Sequence, residues 1–392
     1  MTPSDIDREL AQLDAAFLKR VRRTPSNACG PEIVLDGRPL VAFASNDYLG
    51  LANDSALKQG AIEAIEKWGV GAGASQLVSG RLGIFEVLEQ RIAEFAQRDA
   101  ALFFPSGFQA NLGVLTALAD RHDVIFADRV NHASLIDGAL LSRAHHVRYQ
   151  HVDLADLEHK LKTTPVGDGG TRLIVTDSVF SMDGDEAPLQ ALMALAEQYD
   201  AWLIVDDAHG LGVLGPQGRG SIADAGLPPH PRLIMIGTLG KAAGVSGAFV
   251  AAEANVIEWL IQRARSYIYT TGASPMVAGA LLASIDQILQ GGERRAQLQG
   301  HIAQLRLGID GLKLSFELVP SRTGIQALVI GDNAKTLAVS ASLLEQGYWV
   351  PAIRPPTVPA GTARLRISLS AAHTDAHIAG LLNALATAAQ AA

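Results

Sequence analysis

The sequence predicts an α/β protein with a mostly parallel central sheet and helices on both of its faces. Two observations support this prediction: short apolar runs of strand length recur from about residue 54, and segments of helix length separate them. This alternation is typical of parallel sheets that are buried on both sides. The predicted strands are Ala101–Phe104, Asp123–Ala127, Leu173–Thr176, Trp202–Val205 and Leu233–Ile236.

The segment before this region predicts a helix and a hairpin. Apolar residues at roughly helical spacing predict an amphipathic helix over residues 4–23, which ends at Thr24-Pro25. Two short runs follow, Ile33–Leu35 and Leu40–Phe43. They surround Asp36-Gly37, which is a turn signal between antiparallel strands.

After about residue 285 the pattern becomes that of a smaller α+β domain. Its predicted elements are a helix over Ile288–Leu312, strands at Ala327–Ile330 and Leu365–Leu369, a proline-rich loop from Pro351 to Pro359, and a terminal alanine-rich helix. We therefore predict three parts: an N-terminal helix and hairpin over residues 1–48, a large α/β domain over 49–285 and a C-terminal α+β domain over 286–392. A length of 392 residues agrees with more than one domain.

Composition and charge exclude several classes of function. The chain has 32 basic and 40 acidic residues, a net charge of −8 and 5% aromatic residues, whereas surfaces that bind nucleic acids are basic and often aromatic. Cys29 is the single cysteine, so no intrachain disulfide can form. The polar first residues lack the layout of a signal peptide, and no apolar run approaches the roughly 18 residues of a membrane span. We expect a cytoplasmic enzyme.

Polar and titratable side chains follow the predicted strands directly. They are Ser106, Asp177, Ser178, Ser181, Asp206, Asp207, His209, Thr238 and Lys241. Because the carboxyl ends of parallel strands meet at one edge of a sheet, where ligands bind, we expect these side chains to lie close together. Such a concentration of titratable groups indicates a catalytic site.

Several chemistries fit this edge poorly. The segment Gly69–Ala74 matches a dinucleotide-binding pattern, but it follows a helical stretch where the mechanism needs a strand, so it predicts a turn. Gly240-Lys241 lacks the upstream glycine and the following Ser or Thr of a P-loop. Asp206, Asp207 and His209 carry donors that metals bind, but two adjacent residues of a strand point to opposite faces. We predict no metal site.

Pyridoxal phosphate fits the residues best. This coenzyme needs a lysine amine for its Schiff base and an acid that keeps its pyridine nitrogen protonated. Lys241, in a glycine-rich turn after a strand, and Asp206, at a strand end, supply these two groups. The backbone of Ser106-Gly107-Phe108, at a predicted helix N-terminus, would bind the phosphate.

The chain resembles the α-oxoamine synthases, which are pyridoxal-phosphate-dependent enzymes of fold type I in the class-II aminotransferase superfamily. The segments that carry the resemblance are Ser45–Gly50, Asn131–Ser134, Val179–Gly184, Asp206–Gly210 and Gly240-Lys241, and the similarity extends from about Arg22 to the C-terminus. It implies the fold of a type I pyridoxal-phosphate-dependent transferase and a homodimer.

The resemblance also implies roles for the matched residues around the coenzyme ring. Lys241 would hold the coenzyme as a Schiff base and then move the α-proton of the bound amino acid. Asp206 would pair with the pyridine nitrogen, and His209 would hydrogen-bond the phenolic oxygen. His132 would stack on the ring, and Ser181 would lie beside it.

Further matched residues would bind the phosphate and the substrate. The phosphate would be held by Gly107, Phe108 and Thr238, together with Thr270 or Thr271 of the partner subunit. Arg354 would bind the carboxylate of the amino acid. At the substrate mouth the resemblance places Asn46 and Arg22.

The signatures Ile353–Pro359 and Thr362–Arg366 are most similar to the biotin-pathway member of the family. That similarity implies a decarboxylating Claisen condensation of L-alanine with pimeloyl-CoA or a pimeloyl carrier-protein thioester, with release of CO₂ and free thiol. The alternative within the family is a glycine-using synthase such as 2-amino-3-ketobutyrate CoA ligase. The alternative from another class is a nucleotide- or metal-binding regulator that has kept only the fold. We interpret Arg364 and Arg366, which share one strand face, as structural.

Overall fold

The computed structural model describes residues 1–390 and contains fourteen α-helices and fourteen strands among them. The helices are α1 (Pro3–Ala15), α2 (Ser55–Trp68), α3 (Gly83–Ala96), α4 (Gly107–Leu118), α5 (Ala133–Ser142), α6 (Leu154–Thr163), α7 (Leu189–Gln198), α8 (Ser221–Asp224), α9 (Ala254–Arg263), α10 (Arg265–Ile268), α11 (Pro275–Gln290), α12 (Gly292–Leu312), α13 (Asn333–Glu345) and α14 (Asp375–Gln390). The strands are β1 (Glu32–Leu35), β2 (Arg38–Ala42), β3 (Ala100–Phe104), β4 (Val124–Asp128), β5 (His145–Tyr149), β6 (Arg172–Asp177), β7 (Ala201–Asp206), β8 (Leu233–Thr238), β9 (Ala248–Ala252), β10 (Glu317–Leu318), β11 (Ile325–Gly331), β12 (Tyr348–Trp349), β13 (Ala352–Ile353) and β14 (Ala363–Ser368).

The described chain divides into two compact units. The larger unit comprises residues 49–181 and 186–295, and the smaller unit comprises residues 1–48, 182–185 and 296–392. The predicted N-terminal part and most of the predicted C-terminal domain therefore belong to one unit, together with a short internal segment.

The larger unit is built on a seven-stranded sheet in the order β3-β9-β8-β7-β6-β4-β5. Strands β4 to β8 pair in parallel, whereas β9 is antiparallel to both β3 and β8. The prediction of a mostly parallel sheet is confirmed. Its core combines strand and helix side chains, among them Leu102, Phe104, Val114, Leu115, Ile125, Leu173, Val175, Ile204, Ile234 and Val250.

The smaller unit contains two antiparallel or mixed sheets. Strands β10-β11-β14-β13 form a four-stranded antiparallel sheet, and α13 packs against α14 and β14. The predicted hairpin is present as β1 and β2, and β12 pairs with β2 in parallel. The third strand, β12, was not predicted from the sequence.

Three sequence-based predictions of local structure are wrong. The N-terminal helix ends at Ala15 instead of near residue 23, because Phe17 takes a left-handed conformation with φ of 58° and none of the residues of α1 is buried. A helix without a packed face gains little beyond its weak local propensity. The helix predicted over Ile288–Leu312 is interrupted at Gly291. Strands β5, β9, β10, β12 and β13 were not predicted.

No helix within residues 1–390 combines the length and apolar character that a membrane crossing requires.

Candidate active site

Five strands of the larger unit deliver polar residues to one edge of its sheet. The residues at or just after the carboxyl ends are Ser106 and Gly107 after β3, His132 after β4, Asp177 and Ser181 at the end of β6, Asp206 and His209 at the end of β7, and Thr238 and Lys241 at the end of β8. Asp177 and Asp206 are directly paired across neighbouring parallel strands. The predicted clustering at a single edge is therefore present.

The carboxylate of Asp206 is buried and held from two sides. Its Oδ2 accepts a hydrogen bond of 2.7 Å from the side-chain amide of Asn111, and its Oδ1 accepts one of 3.0 Å from the backbone N–H of Ala208. Asn111 lies on α4 and is itself 1% exposed. The carboxylate is thus fixed in orientation before any ligand binds.

A second buried carboxylate lies beside it. Asp177 Oδ2 accepts the backbone N–H of His132 at 2.7 Å. Burial, followed by the negative charge of Asp206, raises the pKa of Asp177 well above its ordinary value. One of these two neighbouring acids is therefore favoured in its protonated form, which lowers the cost of burying the other as an anion.

His132 is the N-terminal cap of α5. Its Nδ1 accepts the backbone N–H of Ser134 at 3.3 Å and lies 2.7 Å from the hydroxyl oxygen of Ser134. Burial lowers the pKa of His132, an effect that the charge of Asp206 partly offsets. The imidazole is therefore a neutral ring near neutral pH.

Lys241 and His209 face each other across the loops that follow β8 and β7. The distance between Lys241 Nζ and His209 Nε2 is 2.7 Å. His209 is 5% exposed, and Lys241 is half-buried. This pair brings the primary amine that a carbonyl coenzyme requires to the same edge as Asp206.

The N-terminus of α4 lies close to the end of β8. Ser106 caps the helix by accepting the backbone N–H of Gln109 at 3.3 Å. A Cβ placed on Gly107 would lie 3.7 Å from Thr238 Oγ1, so the glycine backbone and the threonine hydroxyl border the same space. The first backbone N–H groups of a helix have no partner within it and attract anions.

Thr270 and Thr271 belong to the larger unit. Thr270 contacts α4, whereas Thr271 contacts the segment that follows α2. Thr270 Oγ1 is 3.5 Å from the amide nitrogen of Gln109, in the first turn of α4. Thr271 pairs with Ser75 in an isolated antiparallel bridge. The glycine-rich segment around residue 71 therefore packs as an irregular turn against the strand-like residues after Tyr269.

Asp207 points away from this edge. Its carboxylate accepts hydrogen bonds from the hydroxyls of Ser178 and Ser221, both at 2.6 Å, and from the backbone N–H of Ser221 at 2.8 Å. Burial raises its pKa to about 6. Asp206 and Asp207 thus have separate environments, and no group of three or more His, Cys, Asp or Glu side chains within residues 1–390 has the arrangement of a metal site.

The predicted substrate residues belong to the smaller unit. Asn46 Oδ1 accepts hydrogen bonds of 3.1 Å from Tyr48 and from Arg366. The guanidinium of Arg354 donates to the backbone oxygen of Phe17, and burial lowers its pKa. Arg22 is exposed in the irregular segment that follows α1.

Three residues with contacts to predicted site residues were not assigned to the site from the sequence. They are Asn111, Ser134 and Arg366. A signal for Asn111 existed: it is an amide in an otherwise apolar stretch of α4. Arg366 was interpreted as structural, yet it is 6% exposed and bonded to Asn46, whereas Arg364 pairs with Asp183.

The donors at this edge fit pyridoxal phosphate. A buried carboxylate, Asp206, suits a protonated ring nitrogen; the amine of Lys241 suits an aldehyde; and the α4 N-terminus with Thr238 suits a phosphate. In addition, Asn111 Oδ1 is buried without a hydrogen-bond partner. An acceptor that the fold itself leaves unsatisfied is typical of a ligand-binding site.

Comparison with known proteins identifies relatives along the whole chain. A family model described as "Aminotransferase class I and II" matches residues 38–385. An 8-amino-7-oxononanoate synthase of Herminiimonas arsenicoxydans is 56% identical over 389 residues, covering 98% of this chain and 99% of the relative.

Two solved structures are also similar to this chain. The chain is similar to a serine palmitoyltransferase from S. paucimobilis with bound PLP–myriocin aldimine, at a TM-score of 0.92 and 30% identity over 99% of this chain and 97% of that one. It is also similar to an 8-amino-7-oxononanoate synthase from Francisella tularensis, at a TM-score of 0.76 and 33% identity over 89% and 97% of the two chains.

Proposed function

Because the chain belongs to the 8-amino-7-oxononanoate synthases of the class I and II aminotransferase family, we propose that the polar edge described above condenses L-alanine with a pimeloyl thioester. The protein is a pyridoxal-phosphate-dependent acyltransferase of biotin biosynthesis. The products are 8-amino-7-oxononanoate, CO₂ and a free thiol. The relatives favour this activity over that of a glycine-using 2-amino-3-ketobutyrate CoA ligase.

The proposed coenzyme site follows from the donors of the larger unit. Lys241 Nζ would hold the coenzyme covalently, Asp206 would pair with its ring nitrogen, and His209 would hydrogen-bond its phenolic oxygen. His132 and Ser181 would border the ring. When bound, pyridoxal phosphate supplies an electron sink for the carbon from which a proton or carboxylate is removed.

The phosphate would be held by backbone and hydroxyl donors. In this proposal Ser106, Gly107 and Phe108 contribute the N-terminal turn of α4, and Thr238 contributes its hydroxyl. The positive end of the helix macrodipole favours a dianion at this position. Thr270 or Thr271 of the partner subunit completes the set.

Lys241 would also move the α-proton of alanine. A lysine amine acts as a base when a neighbouring group can accept the proton that it takes up. His209 Nε2, which lies 2.7 Å from Lys241 Nζ, would be that group. Asp206, whose carboxylate accepts a hydrogen bond from the amide of Asn111, would keep the ring nitrogen of the coenzyme charged, since an opposite charge within a few ångströms favours the charged form.

Substrate binding is proposed for residues of the smaller unit. Arg354 binds the carboxylate of alanine, because a guanidinium matches a carboxylate with two parallel hydrogen bonds. Asn46 and Arg22 contact the substrate near its entrance. Arg366, which is 6% exposed, would orient Asn46 through a hydrogen bond of 3.1 Å.

Partners and location are also part of the proposal. The acyl donor is either pimeloyl-CoA or a pimeloyl acyl carrier protein, and the protein acts in the cytoplasm as a homodimer. Exposed apolar side chains in the segment that follows α2, namely Val70, Leu77 and Val78, support an interface between subunits.

The observation that supports this function most strongly is that the Lys241–His209 and Asp206–Asn111 hydrogen bonds lie at the same edge of one sheet. The test supplies the purified protein with L-alanine and pimeloyl-CoA. We expect CO₂ and free CoA to be released in equal amounts together with 8-amino-7-oxononanoate. Turnover of glycine with acetyl-CoA, and none of alanine with the pimeloyl thioester, would overturn the proposal.

A further inference from the structure

A continuous chain of hydrogen bonds joins Asp206 to His132 through two residues of the helices α4 and α5. The amide nitrogen of Asn111 is 2.7 Å from Asp206 Oδ2 and 2.7 Å from the hydroxyl oxygen of Ser134. That hydroxyl oxygen lies 2.7 Å from His132 Nδ1. Asn111 is 1% exposed and Ser134 is 0% exposed, so water does not compete for these bonds.

The direction of each hydrogen bond follows from the chemistry of its ends. An ionised Asp206 only accepts, so the amide of Asn111 must present its nitrogen and not its oxygen. The two protons of that nitrogen then go to Asp206 and to Ser134. The Ser134 oxygen accepts one of them, and its own proton is then available to His132 Nδ1 if that nitrogen carries a lone pair.

The backbone independently requires the same tautomer of His132. The N–H of Ser134 donates to His132 Nδ1 at 3.3 Å, and a backbone N–H cannot accept a hydrogen bond. His132 Nδ1 must therefore carry a lone pair, and the imidazole proton is on Nε2. The charged groups that act on this ring are Asp206, Lys241 and Asp137.

We propose that Asn111 and Ser134 are positioning residues that couple the charged form of Asp206 to a neutral His132 with its proton on Nε2. A neutral imidazole can stack on a positively charged pyridine ring without the repulsion that an imidazolium would add. The hydrogen-bonded series Asp206–Asn111–Ser134–His132, called the relay below, thus favours a negative charge on Asp206 and a neutral His132 together. The benefit to catalysis rests on the proposed function, whereas the tautomer itself does not.

The test is nitrogen-15 NMR of the full chain with labelled histidine, recorded at pH 8 with and without pyridoxal phosphate. The spectrum of His132→Gln assigns the His132 signals by difference. We expect Nδ1 to show the shift of an unprotonated nitrogen and Nε2 that of a protonated one. A proton on Nδ1, or on both nitrogens, would overturn the inference. Misfolding of a variant could not explain that result, because the measurement is made on the unaltered chain.

Variants separate the relay from a merely structural role. In Ser134→Ala the hydroxyl donor is lost but the backbone N–H of residue 134 is kept, so we expect Nδ1 of His132 to stay unprotonated with a changed chemical shift, and kcat to fall about tenfold. Ser142→Ala is the matched control, because Ser142 is a buried serine of α5 whose hydroxyl donates to the backbone of Ala139 and not to His132; its His132 signals stay as in the wild type. Unchanged His132 signals in Ser134→Ala would contradict the proposal.

The experiments distinguish a failure of the proposed function from a failure of the proposed tautomer of His132. If the protein forms no 8-amino-7-oxononanoate but His132 shows the expected tautomer, the proposed function is wrong and the relay stands. If the protein is active and His132 carries its proton on Nδ1, the function stands and the relay is wrong.

Discussion

The side-chain nitrogen of Lys241 lies 2.7 Å from Nε2 of His209. The two residues follow neighbouring parallel strands, β8 and β7, whose register pairs Asp206 with Ile236. The parallel sheet thereby places an amine, an imidazole and a buried carboxylate at consecutive strand ends, which is the arrangement on which the proposed chemistry depends.

Replacing Asp206 with asparagine should abolish most of the activity. The neutral amide of asparagine cannot stabilise a positive charge on the ring nitrogen of the coenzyme. A neighbouring carboxylate changes the pKa of such a nitrogen by about one to three units. We expect kcat to fall by a factor on the order of 10 to 1000. Steady-state kinetics measure this, with Asp200→Asn as the control, since Asp200 is exposed and pairs with Arg232. A variant with wild-type kcat would remove Asp206 from the coenzyme site.

Asp207 should make the stability of the fold depend on pH. Its pKa is raised by burial from 3.8 to about 6, so between these values the folded state binds more protons than the unfolded one. Stability therefore falls as the pH rises through this window, by roughly 3 kcal/mol for Asp207. Urea unfolding at pH 4 and at pH 7 measures the effect, and in Asp207→Asn this part of the pH dependence should vanish. An equal pH dependence in both proteins would refute it.

Arg354 should affect alanine binding more than overall folding. Loss of a charged hydrogen-bond donor costs about 1.5–3 kcal/mol, so in Arg354→Gln we expect the KM for L-alanine to rise by a factor of about 10 to 150. Arg8→Gln serves as the control, because Arg8 is exposed on α1 and pairs with Asp5. A KM that matches the wild type would assign the carboxylate to another residue, with Arg366→Gln the next variant to measure.

Gly237 should not tolerate a side chain. It is paired with Phe249 across β8 and β9, and an added Cβ would lie 2.4 Å from the Phe249 ring. Gly237→Ala forces the ring to move within a packed core and should lower the free energy of unfolding by about 1–3 kcal/mol. Gly300→Ala, in α12 with no atom within 4 Å of the added Cβ, should instead raise it by about 0.5–1 kcal/mol. Thermal unfolding of both variants distinguishes the two outcomes.

The parallel core of the fold could be predicted because its strands are continuous apolar runs. Strand β5, His145–Tyr149, lacks this signal, because it lies at the edge of the sheet and carries two histidines and an arginine. Strand β9, Ala248–Ala252, is an apolar run of the same length as β3 and was missed although it carries the signal. The direction of β9 depends on tertiary pairing with β3 and β8, and a local pattern does not encode it.

The candidate site shows the same limit. Residues that follow a strand, such as Asp206 and Lys241, are visible as polar groups after an apolar run, and the sheet brings them together. Asn111 and Ser134 lie on helices, and the apolar residues around Asn111 in α4 are a sequence signal of its burial. The hydrogen bonds that join these two residues to Asp206 and His132 depend on how α4 and α5 pack, which a local pattern does not encode.

The most direct test of the account is the position of the coenzyme on the chain. Borohydride reduction of the purified protein should fix pyridoxal phosphate covalently, and peptide mass spectrometry should locate it on Lys241. In Lys241→Ala no peptide should carry the added mass, and the visible absorbance of the protein should be lost. A coenzyme fixed to another lysine, or an unchanged spectrum and full activity in Lys241→Ala, would contradict the account.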